Sequence, residues 1–152
     1  MHHRALSIIA LLLALLLLPS TVLAALSPEQ QQALSQSKYV YISSTRKDGT
    51  LGQPAEIWFL FHDGAVYVGT RPASWRVRRI KAGRPGAKIA VGTASGPSFM
   101  ATGSVVTDTA AQELLLKTFA EKYPDRWASH EKNFREGFKD GSRVLVKYVP
   151  KN

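Results

Sequence analysis

The stretch PAEIWFLFHDGAVYVGT, residues 54–70, decides the fold. Its first part, residues 54–62, is rich in aromatic and aliphatic residues, a composition typical of a strand. Asp63-Gly64 favours a tight hairpin turn, because both residue types tolerate the positive φ that such turns require. Ala65–Thr70 is then predicted to be the returning strand. The stretch therefore predicts an antiparallel hairpin.

Further strands and helices are predicted on both sides of this hairpin. The other strands are expected at residues 39–45, 88–94, 98–107 and 143–149. Helices are expected at residues 28–36, from Ser74 to about Ala82, from Asp108 or Thr109 to Tyr123, and from Pro124 to about Glu136, with Gly137 and Asp140-Gly141 marking turns. Six antiparallel strands close most easily into a small barrel, because closure removes exposed edges. The predicted class is mainly β with α (α+β), a six-stranded antiparallel barrel with short flanking helices.

Residues 1–24 have the layout of a secretory signal peptide, and residues 25–152 form one predicted domain. A short basic start precedes the apolar run 6–18, and small residues lead to a predicted cleavage point after Ala24. An uncleaved membrane anchor is the alternative, but the run is shorter than the roughly 20 residues that a spanning helix needs. We therefore expect an exported protein, periplasmic or secreted, with no membrane attachment after cleavage.

The chain contains no cysteine. Disulfides, thiol catalysis, cysteine metal sites and a lipoprotein anchor are thereby excluded. About 128 residues remain after the predicted cleavage, which is enough for a single domain held together by its core.

The positive charge is concentrated in one region. The formal net charge is +9, and seven of the bases but no acid lie between residues 64 and 107. These bases are Arg71, Arg76, Arg78, Arg79, Lys81, Arg84 and Lys88. Because the rest of the predicted domain is nearly balanced, the excess charge indicates a local site rather than a generally basic surface.

The segment around Ser74 is predicted to bind an anion. A strand ends at Thr70, a loop follows, and Ser74 begins a helix whose first turn carries Arg76. A helix start with a hydroxyl and an arginine offers charge-assisted hydrogen bonds to a phosphate. A solvated basic helix face is the alternative interpretation. A nucleic-acid partner is disfavoured, because such binding needs a longer basic track with exposed aromatic residues.

Other patterns give weaker indications. His62 and His130 lack the spacing of metal ligands, so no metal site is predicted, and no set of catalytic side chains can be assigned. Glu56 interrupts an apolar strand, which indicates a position on the solvent or interface side, with a role in the site as the alternative.

Residues 35–107 resemble the pyridoxamine 5'-phosphate oxidase-like family, the flavin- and deazaflavin-binding split β-barrels. The resemblance rests on the Asp48-Gly49 turn, on the stretch 54–70, and on the pattern T-x-x-x-S-W-R-V-R-R-I that begins at Thr70. In that family a threonine is followed after three residues by a serine, a variable residue and a basic residue. Thr70, Ser74 and Arg76 occupy those positions.

The resemblance implies a split-barrel homodimer that binds FMN, or alternatively a deazaflavin coenzyme, at two sites between the subunits. The phosphate would be held by Ser74 and Arg76, with Arg71 and Arg79 as further contacts. The ring would be bordered by residues 56–58 and Thr70, and the partner subunit would contribute from around residues 99–100. The candidate cofactor-binding residues are Glu56, Ile57, Trp58, Thr70, Arg71, Ser74, Arg76 and Arg79.

Two departures from the family pattern shape the functional prediction. The basic residues that the oxidase subgroup carries on its second strand are replaced by Glu56 and its neighbours, and the typical C-terminal segment of that subgroup is absent. These differences argue against vitamin oxidase activity. The signal peptide is the second departure, since most relatives are cytoplasmic.

Three functions remain open. The leading one is an exported flavin- or deazaflavin-dependent oxidoreductase that acts on an unidentified small molecule. The alternative is a non-catalytic binding protein for flavin, haem or another anionic ligand. The third is a barrel that has lost ligand binding and serves as a dimeric interaction module.

Overall fold

Seven strands form one antiparallel sheet in the order β2-β1-β5-β6-β7-β4-β3. The computed structural model describes residues 25–152, and the predicted signal peptide lies outside these residues. The strands are β1 (Val40–Ser44), β2 (Ala55–Ile57), β3 (Leu60–His62), β4 (Ala65–Thr70), β5 (Gly86–Val91), β6 (Ser98–Val106) and β7 (Val144–Pro150). The helices are α1 (Pro28–Gln36), α2 (Trp75–Lys81), α3 (Thr109–Lys122) and α4 (Pro124–Asp140). The predicted α+β class with a curled antiparallel sheet is confirmed.

One bent segment joins the two ends of this sheet. β2 pairs with β1 at one end of the strand order and β3 pairs with β4 at the other, yet only Trp58 and Phe59 separate them. A straight strand cannot pair with both edges, so the sequence stretch 54–62 forms two short strands instead of the one predicted. The structure therefore has seven strands where six were predicted. Because the bend links the two edges of the sheet, the sheet is curled into a barrel.

Side chains from the end of α3 satisfy the backbone at this bend. The Phe59 N–H donates a hydrogen bond to the Tyr123 hydroxyl at 3.3 Å, and that hydroxyl donates to the Lys38 carbonyl at 2.5 Å. The Lys122 ammonium lies 3.4 Å from the Phe59 carbonyl oxygen and 3.4 Å from the centre of the Phe59 ring. A buried backbone N–H without a partner would cost about 1–3 kcal/mol, so the end of α3 stabilises the change of strand partner.

The sheet has an apolar layer on each side. Inside the barrel lie residues such as Phe59, Val68 and Tyr148, and on the outer face α3 and α4 cover a second cluster that includes Phe119 and Phe134. All six residues of β4 are buried, since Val66 and Val68 face the barrel interior while Ala65 and Tyr67 face the helices. Burial on both faces explains why this strand is almost entirely apolar.

α1 and α3 begin after residues that favour helix caps, and α4 is longer than predicted. α1 begins with a capping box at Ser27, and Asp108 caps α3 by accepting a hydrogen bond from the Ala111 N–H at 2.9 Å. α4 continues through Gly137, where a turn was predicted, and ends at Asp140, followed by the C-cap residue Gly141 with φ 81°. A Cβ at position 137 would lie 2.8 Å from the Arg143 Cβ, so Gly137 provides close approach of α4 to the chain that enters β7. No helix within residues 25–152 is both long and apolar enough to cross a bilayer.

Replacing Tyr123 by phenylalanine should destabilise the protein by about 1–3 kcal/mol, because the buried Phe59 N–H loses its partner and the part-buried hydrogen bond to the Lys38 carbonyl is also lost. Urea unfolding followed by circular dichroism measures this change. Tyr39→Phe is the matched control, since its ring stacks on Tyr123 with the centroids 6.1 Å apart. Equal stability of Tyr123→Phe and the wild type would show that the bend does not depend on this hydroxyl.

Candidate functional site

Six of the eight predicted cofactor-binding residues surround one cleft of about 720 Å³, which we call the main cleft. Glu56, Ile57 and Trp58 come from β2 and the bend, and Thr70, Arg71 and Ser74 come from the end of β4 and the loop before α2. The remaining lining residues are Gly69, Ala73, Arg126, His130, Phe134 and Arg143. The bend and the β4–α2 loop are separated in sequence, and the curled sheet brings them together.

α4 and the residue before β7 provide a wall of the cleft that no sequence pattern predicted. Arg126, His130 and Phe134 are spaced four residues apart, so they share one face of α4. Arg143 lies just before β7. The spacing along α4 was visible in the sequence, but nothing local indicated that this face turns towards the end of β4.

Trp58 forms a flat aromatic wall in the main cleft. Its indole stacks on the Tyr123 ring, with the centroids 4.2 Å apart and the planes inclined by 9°. The His130 ring lies 5.3 Å away, and the Arg126 guanidinium lies 5.7 Å from the indole centre. Stacking of this kind fixes the indole orientation and suits a planar ligand beside it.

Glu56 is exposed at the edge of the main cleft. It sits opposite Tyr41 in the β1–β2 register, and its carboxylate accepts a short hydrogen bond from the Tyr41 hydroxyl. This hydrogen bond is the largest contribution to a raised pKa of Tyr41. Glu56 therefore occupies the solvent side predicted for it and also borders the cleft.

A second cavity of about 540 Å³, which we call the arginine pocket, lies on the other side of Ser74. Arg46, Arg76 and Arg79 line it, and no acidic residue does. Ser74 is common to this pocket and the main cleft, so the two cavities meet at its side chain. Three cations without an acidic neighbour in the lining favour an anionic ligand.

Arg79 has a structural contact within the arginine pocket. Its Nη1 donates to the carbonyl oxygen of Ser44 at 2.9 Å and to the Ser44 hydroxyl at 2.8 Å. A Cβ at position 52 would come within 2.6 Å of the same nitrogen, so Gly52 allows the loop after β1 to pass over it. Arg79 thus ties α2 to the end of β1.

Ser74, which borders both cavities, and Arg76, which lines the arginine pocket, each carry a buried polar atom without a partner within residues 25–152. Ser74 is the N-cap residue of α2, as predicted, but its hydroxyl makes no capping hydrogen bond. Ser74 Oγ and Arg76 Nη1 are both buried and lack a hydrogen-bond partner within residues 25–152. Burial lowers the pKa of Arg76, and burial also raises the pKa of the neighbouring Tyr148 to about 12. Unpaired buried donors are costly, so these two atoms are candidates for contact with a ligand.

The two histidines of the predicted domain, His62 and His130, have different surroundings. His62 is exposed at the end of β3, whereas His130 lies in the main cleft. The described part of the chain, residues 25–152, contains no group of three histidine, aspartate or glutamate residues placed to hold a metal ion.

Comparison with known proteins identifies the fold. No protein-family model and no curated protein sequence matches the chain. Among solved structures, a Listeria innocua protein assigned as a pyridoxamine 5'-phosphate oxidase is 14% identical, with 80% of this chain and 90% of that chain covered and a TM-score of 0.56. The heme storage protein HutZ from Vibrio cholerae is 13% identical, with coverage of 85% and 92% and a TM-score of 0.59.

An F420 reductase is 18% identical, with 80% of this chain and 93% of that chain covered and a TM-score of 0.51. These neighbours are pyridoxamine 5'-phosphate oxidase-like proteins, so the predicted split-barrel fold is confirmed. At such identities the likeness concerns the fold alone.

Arg76→Met should leave the unliganded protein as stable as the wild type, or up to about 1–3 kcal/mol more stable, because it removes an unpaired buried donor. Millimolar inorganic phosphate should raise the melting temperature of the wild type and have a smaller effect on the variant. Differential scanning calorimetry measures both effects. Arg78→Met, an exposed change on the same helix, should retain the phosphate response. A marked loss of stability in unliganded Arg76→Met would instead assign Arg76 a structural role.

Proposed function

We propose that this protein binds FMN, or alternatively a deazaflavin coenzyme, and acts as an oxidoreductase on a small molecule. The observation that carries the proposal is the pair of buried donors at Ser74 and Arg76, which have no hydrogen-bond partner within residues 25–152. Ser74 borders both the aromatic cleft and the arginine pocket, and Arg76 lines the pocket, which has no acidic residue in its lining. The fold likeness supports it, because an F420 reductase and a protein assigned as a pyridoxamine 5'-phosphate oxidase share this barrel.

The residues at the junction fit a phosphate group. The Ser74 hydroxyl and the Arg76 guanidinium can donate hydrogen bonds to its oxygens, and charge-assisted bonds contribute about 1.5–3 kcal/mol each. Arg46 adds positive charge from the loop after β1. Because Arg79 already donates to Ser44, we assign it to positioning α2 rather than to the phosphate.

The main cleft would border the ring of the coenzyme. Ile57, Trp58 and Thr70 line the main cleft together with Ser74, and the fixed indole of Trp58 gives the cleft a flat surface. The coenzyme would supply the hydride-transfer chemistry when it is bound, so the chain itself does not need to provide a catalytic acid–base pair. The protein's residues bind the phosphate, orient the ring and exclude water from one of its sides.

A non-catalytic carrier of haem is the second candidate. HutZ, a heme storage protein, shares the fold, and His130 lies in the main cleft. The His130 Nδ1 is 2.9 Å from the Arg126 carbonyl oxygen, so a proton on Nδ1 would leave Nε2 as the nitrogen able to ligate a metal. The arginines of the cleft would then pair with carboxylates of the ligand.

The proposal includes export and a homodimer. Export rests on the signal-peptide pattern of residues 1–24. The dimer rests on the apolar side chains that stay exposed, since Trp75 is 68% exposed and Met100 is 43% exposed. Met100 belongs to the segment that the family resemblance places against the coenzyme of the partner subunit.

FMN should bind the wild-type protein, and Arg76→Met should weaken that binding at least tenfold because a charge-assisted hydrogen bond to phosphate is lost. Ser74→Ala should weaken it less, and Arg78→Met should not change it. Quenching of flavin fluorescence measures the affinities, and riboflavin, which lacks the phosphate, should not distinguish the variants. Parallel titrations with a deazaflavin and with haem identify the preferred ligand. Absence of binding for all three would contradict the proposal, and a bound flavin that no electron donor reduces would favour a carrier.

Trp75→Glu should convert a dimer into a monomer, because it places a charge in the apolar surface proposed as the interface. Sedimentation equilibrium at micromolar concentration gives the mass of each form. Lys81→Glu, also on α2 and exposed, serves as the control for the added charge. A monomeric wild type would remove the homodimer from the proposal.

A further inference from the structure

Arg71 and Arg143 are placed opposite each other by the register of the sheet. The β4–β7 pairing ends with Thr70 opposite Val144, and the next position on each strand is an arginine. Like charges directly opposite each other on antiparallel strands are destabilising. The sheet therefore brings two cations together at the end of β4, although this weakens the unliganded fold.

Neither arginine has a carboxylate partner in the part of the chain that the structure describes. The three ion pairs found within residues 25–152 involve only residues of α3 and α4, namely Glu113, Glu131, Lys132, Arg135 and Glu136. Arg143 Nε is buried without a hydrogen-bond partner, and the Arg143 Nη1 contact with the Gly69 carbonyl oxygen is long, at 3.4 Å. Burial lowers the pKa of Arg143, and the charge of Arg71 lowers it further.

The Arg143 guanidinium is nevertheless held in one place. It lies 3.8 Å from the centre of the Phe134 ring. A Cβ at position 69 would come within 2.8 Å of the same ring, so Gly69 allows Phe134 to approach the strand closely. Stacking on an aromatic ring orients the guanidinium and leaves its N–H groups available to a ligand.

The pair lies where the main cleft meets another cavity of about 610 Å³, which we call the side cavity. Arg71 and Arg143 line both cavities, whereas Glu136 and Asp140 line only the side cavity. These two carboxylates would repel a long polyanion that continued past the arginines. The arrangement suits a single anionic group that enters from the main cleft.

We propose that Arg71 and Arg143 form an oxyanion subsite that binds the carboxylate, or a chemically similar terminal group, of the small molecule that enters the main cleft. This inference rests on the proposed function, because it assigns the subsite to the substrate and leaves the coenzyme phosphate to Ser74 and Arg76. It reassigns Arg71, which the family resemblance had grouped with the phosphate contacts. The same oxyanion chemistry could come from the coenzyme, so the experiment compares the two sources.

Isothermal titration of the purified protein with benzoate and with neutral benzamide, at constant ionic strength, tests the subsite. Arg71→Met and Arg143→Met should each weaken benzoate binding at least tenfold and should leave benzamide binding unchanged. Arg143→Lys should restore part of the benzoate affinity, and exposed Arg78→Met should behave like the wild type. Removal of Arg71 should also raise the melting temperature at low salt, since it relieves the repulsion. Benzoate binding that is equal in the wild type and both methionine variants would overturn the proposal.

Titration with FMN separates this inference from the proposed function. Arg143→Met should bind FMN within about twofold of the wild type, whereas Arg76→Met should lose FMN and keep benzoate. A tenfold loss of FMN affinity in Arg143→Met would assign the pair to the coenzyme and overturn the substrate subsite. If FMN does not bind at all while benzoate binding still depends on both arginines, the oxyanion subsite stands and the proposed coenzyme fails.

Discussion

The hydrogen bond from the Phe59 N–H to the Tyr123 hydroxyl is the interaction on which the rest of the structure depends. It lies where one chain segment leaves β1 and pairs with β4, and it replaces a bond that the sheet cannot supply there. A barrel whose edges are joined in this way has few free backbone groups to expose. The C-terminal helices therefore take part in closing the barrel as well as covering it.

The same bend positions the candidate site. Phe59 points into the barrel, and Trp58 on the opposite side stacks on Tyr123 and forms a wall of the main cleft. β4 then runs back along the other edge and delivers Thr70 and Arg71 to the same cleft. Barrel closure and the shape of the site are thus consequences of one change in strand direction.

Some cationic side chains around the main cleft and the arginine pocket occupy positions that are unfavourable for stability. Arg76 and Arg143 carry buried nitrogen atoms without partners in the described part of the chain, and Arg143 faces a second arginine. Such groups lower the stability of the unliganded protein, and anionic ligands would reverse that effect. Places where local rules of stability are broken in this way are expected to be functional.

The amino-acid sequence by itself determined most of the elements, because strand composition, hairpin turns and capping residues act over a few neighbouring positions. The pattern Thr70, Ser74 and Arg76 likewise predicted a candidate anion site, and the family resemblance that rests on it predicted the fold. Only the tertiary structure decided three features. The strand predicted at residues 54–62 is interrupted, and Gly137 is helical. The cleft also gains four lining residues that were not predicted, namely Arg126, His130, Phe134 and Arg143. Each of these features depends on which distant segments meet when the sheet curls. The residues that a side chain meets across the barrel are far away in the sequence, so the local pattern of residues around that side chain does not reveal them.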